Sequence, residues 1–160
     1  MQLIIAILHI NQQLAIPRHR SLTTGFDNKT LGSGNDSFDG SLISAVQTLG
    51  SADVLNGGTG TDSLTAVLNT AVSITPTLTS IETLTVGTAN AAATLNLVNS
   101  TGYTTLDANG ATGAGALTFS NISSTAPALK LTSSGLGVTF AYTTAAVAAT
   151  VDADRKLTHL

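Results

Sequence analysis

The sequence predicts an all-β chain wound as a parallel β-solenoid, with a β-sandwich as the alternative. Three observations lead there. A nine-residue pattern of glycine and aspartate recurs in the first part of the chain. Short runs that alternate apolar with Thr, Ser or Asn residues recur at near-even spacing in the second. Charged residues make up only 9% of the chain, against roughly 25% in an ordinary globular domain. A coil with apolar residues inside and hydroxyls outside needs few charges.

Residues 1–20 stand apart as an N-terminal extension. Their core, "LIIAILHI" at residues 3–10, is apolar but about half the length of a membrane span. It has no basic segment before it and no clean small-residue cleavage site after it, so it reads as a strand or short helix.

Residues 21–66 carry the nine-residue pattern. "GGTGTDSLT", residues 57–65, matches G-G-x-G-x-D-x-U-x at every specified place, the repeat of calcium-binding parallel β-helices. Gly57, Gly58 and Gly60 precede Asp62 at position six, and Leu64 fills the apolar position eight. "TLGSADVLN", residues 48–56, puts Asp53 and Leu55 at the same places but keeps only Gly50. "LGSGNDSFD", residues 31–39, has Gly32, Gly34, Asp36 and Phe38 in register. "LTTGFDNKT", residues 22–30, has Gly25 and Asp27, but Lys29 breaks the apolar rule at position eight. "GSLISAVQ", residues 40–47, is one residue short of a repeat and has no acid.

The four aspartates therefore fall at intervals of 9, 17 and 9 residues. The chemistry behind the pattern is direct. Glycine admits positive φ and lets backbone carbonyls crowd together. Calcium takes six to eight oxygen ligands at about 2.3–2.6 Å, more than one aspartate supplies. Two nonapeptides make one coil, so ligand pairs should lie about 18 residues apart. On that rule Asp36 and Asp53 form the central stack, with Asp27 and Asp62 at its outer ends. The metal-ligand candidates are Asp27, Gly32, Gly34, Asp36, Asp53, Gly57, Gly58, Gly60 and Asp62, with Ca2+ as the cofactor. The competing reading is a set of Gly-rich turns in which each Asp caps its own turn.

Residues 67–150 read as a Thr-rich ladder. The runs "IETLTV", "ATLNLV", "YTTLDA", "ALTFSN", "ALKLTS" and "VTFAYT" begin at residues 81, 93, 103, 116, 128 and 138. Their period-two alternation marks half-buried strands. Gly and Asn separate most of them. Two strands per coil of about 22–25 residues gives a solenoid. Phe38, Phe119 and Phe140 fall at inward positions, which makes them core rather than a binding platform. Residues 151–160, "VDADRKLTHL" less the ladder's Thr-rich character, read as a tail.

Composition narrows the function. A formal net charge of -3 argues against a nucleic-acid surface. The absence of cysteine removes disulfides, thiol catalysis and thiolate metal sites. No G-x-S-x-G or H-E-x-x-H is present, and His9, His19 and His159 all lie in the end segments. Glu82 is the single glutamate. An enzyme is therefore not expected.

With these residues in view, the chain resembles a piece of a calcium-dependent bacterial S-layer or RTX (repeats-in-toxin) protein exported by type I secretion. The likeness rests on residues 22–40, on "SADVLNGGTGTDSLT" at residues 51–65 and on "LTSIETLTV" at residues 78–86, and it spans roughly residues 21–143. It implies an extracellular solenoid at the bacterial cell surface, calcium in the Asp/Gly turns and self-assembly into a lattice. An adhesin or carbohydrate-binding module, with a cell-surface polysaccharide as partner, is the alternative. A third is the non-catalytic tail of a secreted hydrolase.

Overall fold

The computed structural model describes residues 15–110, 115–123, 127–132, 137–143 and 151–154, the last of these for the backbone alone. "LIIAILHI", His9 and His159 lie outside the described residues. Among the described residues the secondary structure is entirely strand and turn. The strands are β1 (His19–Ser21), β2 (Asn28–Thr30), β3 (Ser37–Gly40), β4 (Val54–Asn56), β5 (Ser63–Leu68), β6 (Ser73–Ile74) and β7 (Thr77–Thr79). They continue with β8 (Thr83–Thr88), β9 (Ala93–Asn96), β10 (Thr105–Asn109), β11 (Leu117–Ile122), β12 (Ala128–Thr132), β13 (Val138–Tyr142) and β14 (Val151–Asp154).

These strands make three parallel sheets. One sheet of seven runs the length of the molecule in the order β1-β3-β5-β8-β10-β12-β14. The other side of each coil is closed by β2-β4-β7 in the early part and by β6-β9-β11-β13 later. Every strand pair is parallel. Hairpin-connected strands pair antiparallel, so the β-sandwich alternative is excluded and the chain is a β-solenoid.

Alternation decides which side chains go inward. On the long sheet Phe38, Leu64, Leu84, Leu106 and Leu129 stack one above another, in register from coil to coil. Opposite them stand Leu55 and Leu78, then Leu95 and Phe119. All nine are buried. Burying each contributes roughly 1.5–3 kcal/mol. Phe119 and Phe140 stack with ring centroids 5.3 Å apart, an offset geometry that aromatic rings favour. Phe38 and Phe119 are buried, and Phe140 packs against the core. Phe26 faces solvent. Between the inward rows, Ser63, Thr83 and Thr105 form one outward row, and Thr65 and Thr85 part of the next.

The coils are not all one length. His19 pairs with Ser37, 18 residues on, which is two nonapeptides. Ser37 pairs with Ser63, 26 residues on. The extra eight are the acid-free segment near residues 40–47. There the chain leaves the coil as a small hairpin, with Ile43 and Val46 in an antiparallel bridge. Ser44 and Ala45 take φ of 50° and 65° at its tip, the twist that two-residue hairpins require. Thr48 donates to the Ser41 carbonyl at 3.0 Å and closes its base.

The ladder also reaches beyond the segment limits read from the sequence. His19 and Arg20 belong to β1, and residues 151–154 form β14, paired with β12. Parallel pairing to an existing coil is a backbone property, so it recruits the polar β1 (His-Arg-Ser) as well as β14, whose Val-Asp-Ala-Asp keeps the apolar alternation.

Candidate metal centre

Each position-six aspartate is the last residue before a strand: Asp27 before β2, Asp36 before β3, Asp53 before β4 and Asp62 before β5. All four side chains are buried. A short carboxylate at that point can reach two coils at once. One oxygen turns back on its own turn. Asp27 Oδ2 accepts the Thr23 N–H at 2.7 Å, Asp36 Oδ2 the Gly32 N–H at 3.2 Å, and Asp53 Oδ2 the Gly50 N–H at 2.8 Å. The other oxygen accepts an N–H from the preceding coil. Asp53 Oδ1 takes that of Asp27 at 2.9 Å, and Asp62 Oδ1 that of Asp36 at 2.7 Å. Asp36 Oδ1 likewise takes the N–H of Arg18 at 2.6 Å. The backbone turns thus lose no buried donor, and coils are tied corner to corner.

Two columns result. One holds Asp27 and Asp53. The other holds Asp36, Asp62 and then Glu82, whose Oε2 accepts the Asp62 N–H at 2.6 Å. The expected stack of Asp36 on Asp53 does not form. Those residues open strands of different sheets, and the hairpin at residues 43–46 lengthens the coil so that partners stand 26 residues apart.

The glycines serve the stacking. A Cβ at Gly57 would collide with the Ser80 carbonyl and with Asp62 Oδ2. A Cβ at Gly58 would strike the Gly32 carbonyl, and one at Gly60 the Gly34 carbonyl. Gly34, Gly58 and Gly60 also hold φ of 125°, 98° and 134°, which L side chains rarely adopt. The turn of residues 57–62 therefore nests on the turn of residues 31–35, with backbone oxygens drawn close around it.

The two columns differ in charge balance. At Asp27, burial works to raise the carboxyl. The Thr23 N–H and Lys29 outweigh it and hold Asp27 below the usual aspartate range. Lys29 Nζ stands 3.0 Å from Asp27 Oδ1. Burial pushes Asp53 up, opposed by the N–H groups of Gly50 and Asp27. Burial also pushes Asp62 up; the Asp36 N–H opposes this, and the charges of Glu82 and Asp36 add to the rise. Among the described residues the ion pairs are Lys29–Asp27 and His19–Asp39; none falls in the second column, where the Arg18 guanidinium lies against Gly32 in the turn that Asp36 closes. Asp62 Oδ2 is buried with no hydrogen-bond partner.

That orphaned oxygen sets the Asp62 turn apart from the other three. Asp27, Asp36 and Asp53 have both oxygens engaged. Asp62 has one free oxygen, beside the Ser80 carbonyl and under a second acid. Among the described residues no three His, Cys, Asp or Glu side chains converge as a metal cluster. An ion at the Asp62 turn would draw on backbone carbonyls and water for the rest of its shell, as calcium readily does.

Glu82 and Lys29 are the residues that sequence reasoning left out of the site. The signal for Glu82 was present. Glu82-Thr83-Leu84 repeats the form of Asp62-Ser63-Leu64 and Asp36-Ser37-Phe38, one coil further on.

A Ser/His/Asp trio lies elsewhere, on the outer face of the long sheet. His19 Nδ1 and Ser37 Oγ are 2.9 Å apart, and His19 Nε2 is 4.0 Å from Asp39. The imidazole is 63% exposed, and Asp39 is committed to the Ser41 N–H at 2.9 Å. An imidazole held by no carboxylate hydrogen bond and open to water is not set up as a catalytic base.

No family model, curated protein or solved structure matches the chain.

Proposed function

We propose that the chain is a non-catalytic structural module: a secreted β-solenoid, steadied by calcium at the Asp62 turn, that assembles with copies of itself at the bacterial cell surface. The observation that carries this reading is the buried, unpartnered Asp62 Oδ2, stacked between the carboxylates of Asp36 and Glu82. Three acids in one column repel one another, and burial strengthens the repulsion. A divalent ion relieves it, so calcium would order the column. Asp62, the Ser80 carbonyl and Glu82 are the groups that would hold it.

The parallel architecture supports self-association, since the edge strand of a sheet offers backbone groups that can template another chain. The resemblance to S-layer and RTX sequences over residues 21–143 supports export and a surface lattice.

The test is a calcium titration of chelator-stripped protein, followed by circular dichroism and light scattering, beside an Asp36→Ala/Asp62→Ala variant. Saturable ordering followed by assembly, both lost in the variant, supports the module. Ordering without assembly points instead to an adhesin-like or carrier role. No response to calcium removes the cation from the account.

A further inference from the structure

The Asp27/Asp53 corner and the Asp62 corner share one backbone design, yet a lysine interrupts the first. Lys29 sits at position eight of its nonapeptide, where the pattern calls for an apolar residue. We propose that Lys29 is a built-in cation: its ammonium balances the Asp27/Asp53 pair in place of a divalent ion and leaves that corner closed to metal. The inference rests on the same reading of the aspartate turns as cation positions.

Register and reach carry it. Lys29 aligns with Leu55 and then Leu78 along one row of the β2-β4-β7 sheet, so its methylene stem continues an apolar stripe. Its head reaches Asp27 Oδ1 at 3.0 Å, with 27% of the lysine side chain exposed and 2% of the aspartate. A long cationic side chain suits this arrangement, stem on apolar surface and charge at a polar rim.

The carboxylate oxygens at this corner are also taken. Asp27 Oδ2 accepts from the Thr23 N–H and hydroxyl. Asp53 accepts from Asp27 through Oδ1 and from Gly50 through Oδ2. Lys29 covers the one that remains. A lysine cannot dissociate, so this corner orders without calcium, while the Asp62 corner waits for it.

The test compares wild type, Lys29→Met, Lys29→Arg, Asp62→Asn and the Asp62→Asn/Lys29→Met double variant, with calcium chloride as the probe, by thermal melting and calorimetric titration. In chelator, Lys29→Met should lower Tm by roughly 5 °C, because a buried carboxylate loses its partner. Lys29→Arg should melt like wild type. Asp62→Asn should bind no calcium, and the double variant should regain one calcium site with a matching recovery of Tm.

Lys29→Met melting like wild type in chelator would overturn the proposal. So would a double variant that stays blind to calcium. Should Lys29→Met fail to fold in chelator, refolding in calcium supports the proposal and failure in both conditions overturns it. The wild type against Asp62→Asn tests the Asp62 site alone. A calcium-blind wild type with a calcium-binding double variant would discard that site and keep the Lys29 proposal.

Discussion

Asp27 and Asp36 open equivalent turns, nine residues apart. Each uses one oxygen to hold its own turn and donates its N–H to the aspartate 26 residues on. Beyond that they diverge. Lys29 stands against Asp27, whereas the column above Asp36 adds Glu82 and leaves Asp62 Oδ2 unpaired. The comparison teaches that one backbone turn can surround its carboxylates differently: Lys29, at position eight, pairs with Asp27, while Glu82, one coil on, adds a second acid above Asp62.

The largest expected effect tests the shared scaffold. Gly57→Ala drives a Cβ into the Ser80 carbonyl and Asp62, so it should cost at least about 3 kcal/mol in urea unfolding. Gly110→Ala, at a φ of 72° with open space around it, should cost only about 1 kcal/mol. Equal losses would mean that the turns do not nest as described.

Next comes the staple. Asp36→Ala removes the acceptor of the part-buried Arg18 and Gly32 N–H groups and should cost about 1–3 kcal/mol, at about 0.5–1.5 for each bond lost. Thr85→Ala, on the outward face of β8, should stay within about 0.5 kcal/mol. Hydrogen exchange would locate the Asp36→Ala loss in residues 15–40.

Much of this was legible in the sequence. Alternation around Leu84, Leu106 and Phe119 placed the ladder strands, and the nonapeptides placed the four aspartates before their strands. The pairing of those aspartates was not legible. It depends on where the hairpin at Ile43 and Val46 leaves the coil. That hairpin has Ser44 and Ala45 at positions where glycine or asparagine usually signals a turn. Lys29 looked like a flaw because spacing alone cannot show that its ammonium bends back to Asp27. The role of Glu82 depends on coil length, which only the register supplies.

A smaller effect of pH separates Asp27 from Asp53 and Asp62. Asp27 is held below the usual aspartate range, near pH 4. Its contribution is present above that range and is lost as pH falls through its lowered value. Asp53 and Asp62 are raised. Their contribution is present below the usual range and is lost as pH rises through their raised values. Metal-free Tm should therefore climb as pH falls through the raised values of Asp53 and Asp62, then drop as pH falls through the lowered value of Asp27. Asp62→Asn should reduce the climb to the share of Asp53 and leave the fall. A variant that keeps the full climb would show that Asp62 carries no unbalanced charge.

The most direct measurement is the melting temperature of wild type and Asp62→Asn, each in chelator and in calcium. Asparagine keeps the Oδ1 acceptor for the Asp36 N–H and replaces the orphaned oxygen with a donor facing the Ser80 carbonyl. In chelator the variant should melt about 2–4 °C above wild type, equivalent to about 1 kcal/mol. In calcium the order should reverse, with wild type rising and the variant unmoved. A variant that is less stable in chelator, or that gains as much from calcium as wild type does, would contradict the account of the Asp62 corner.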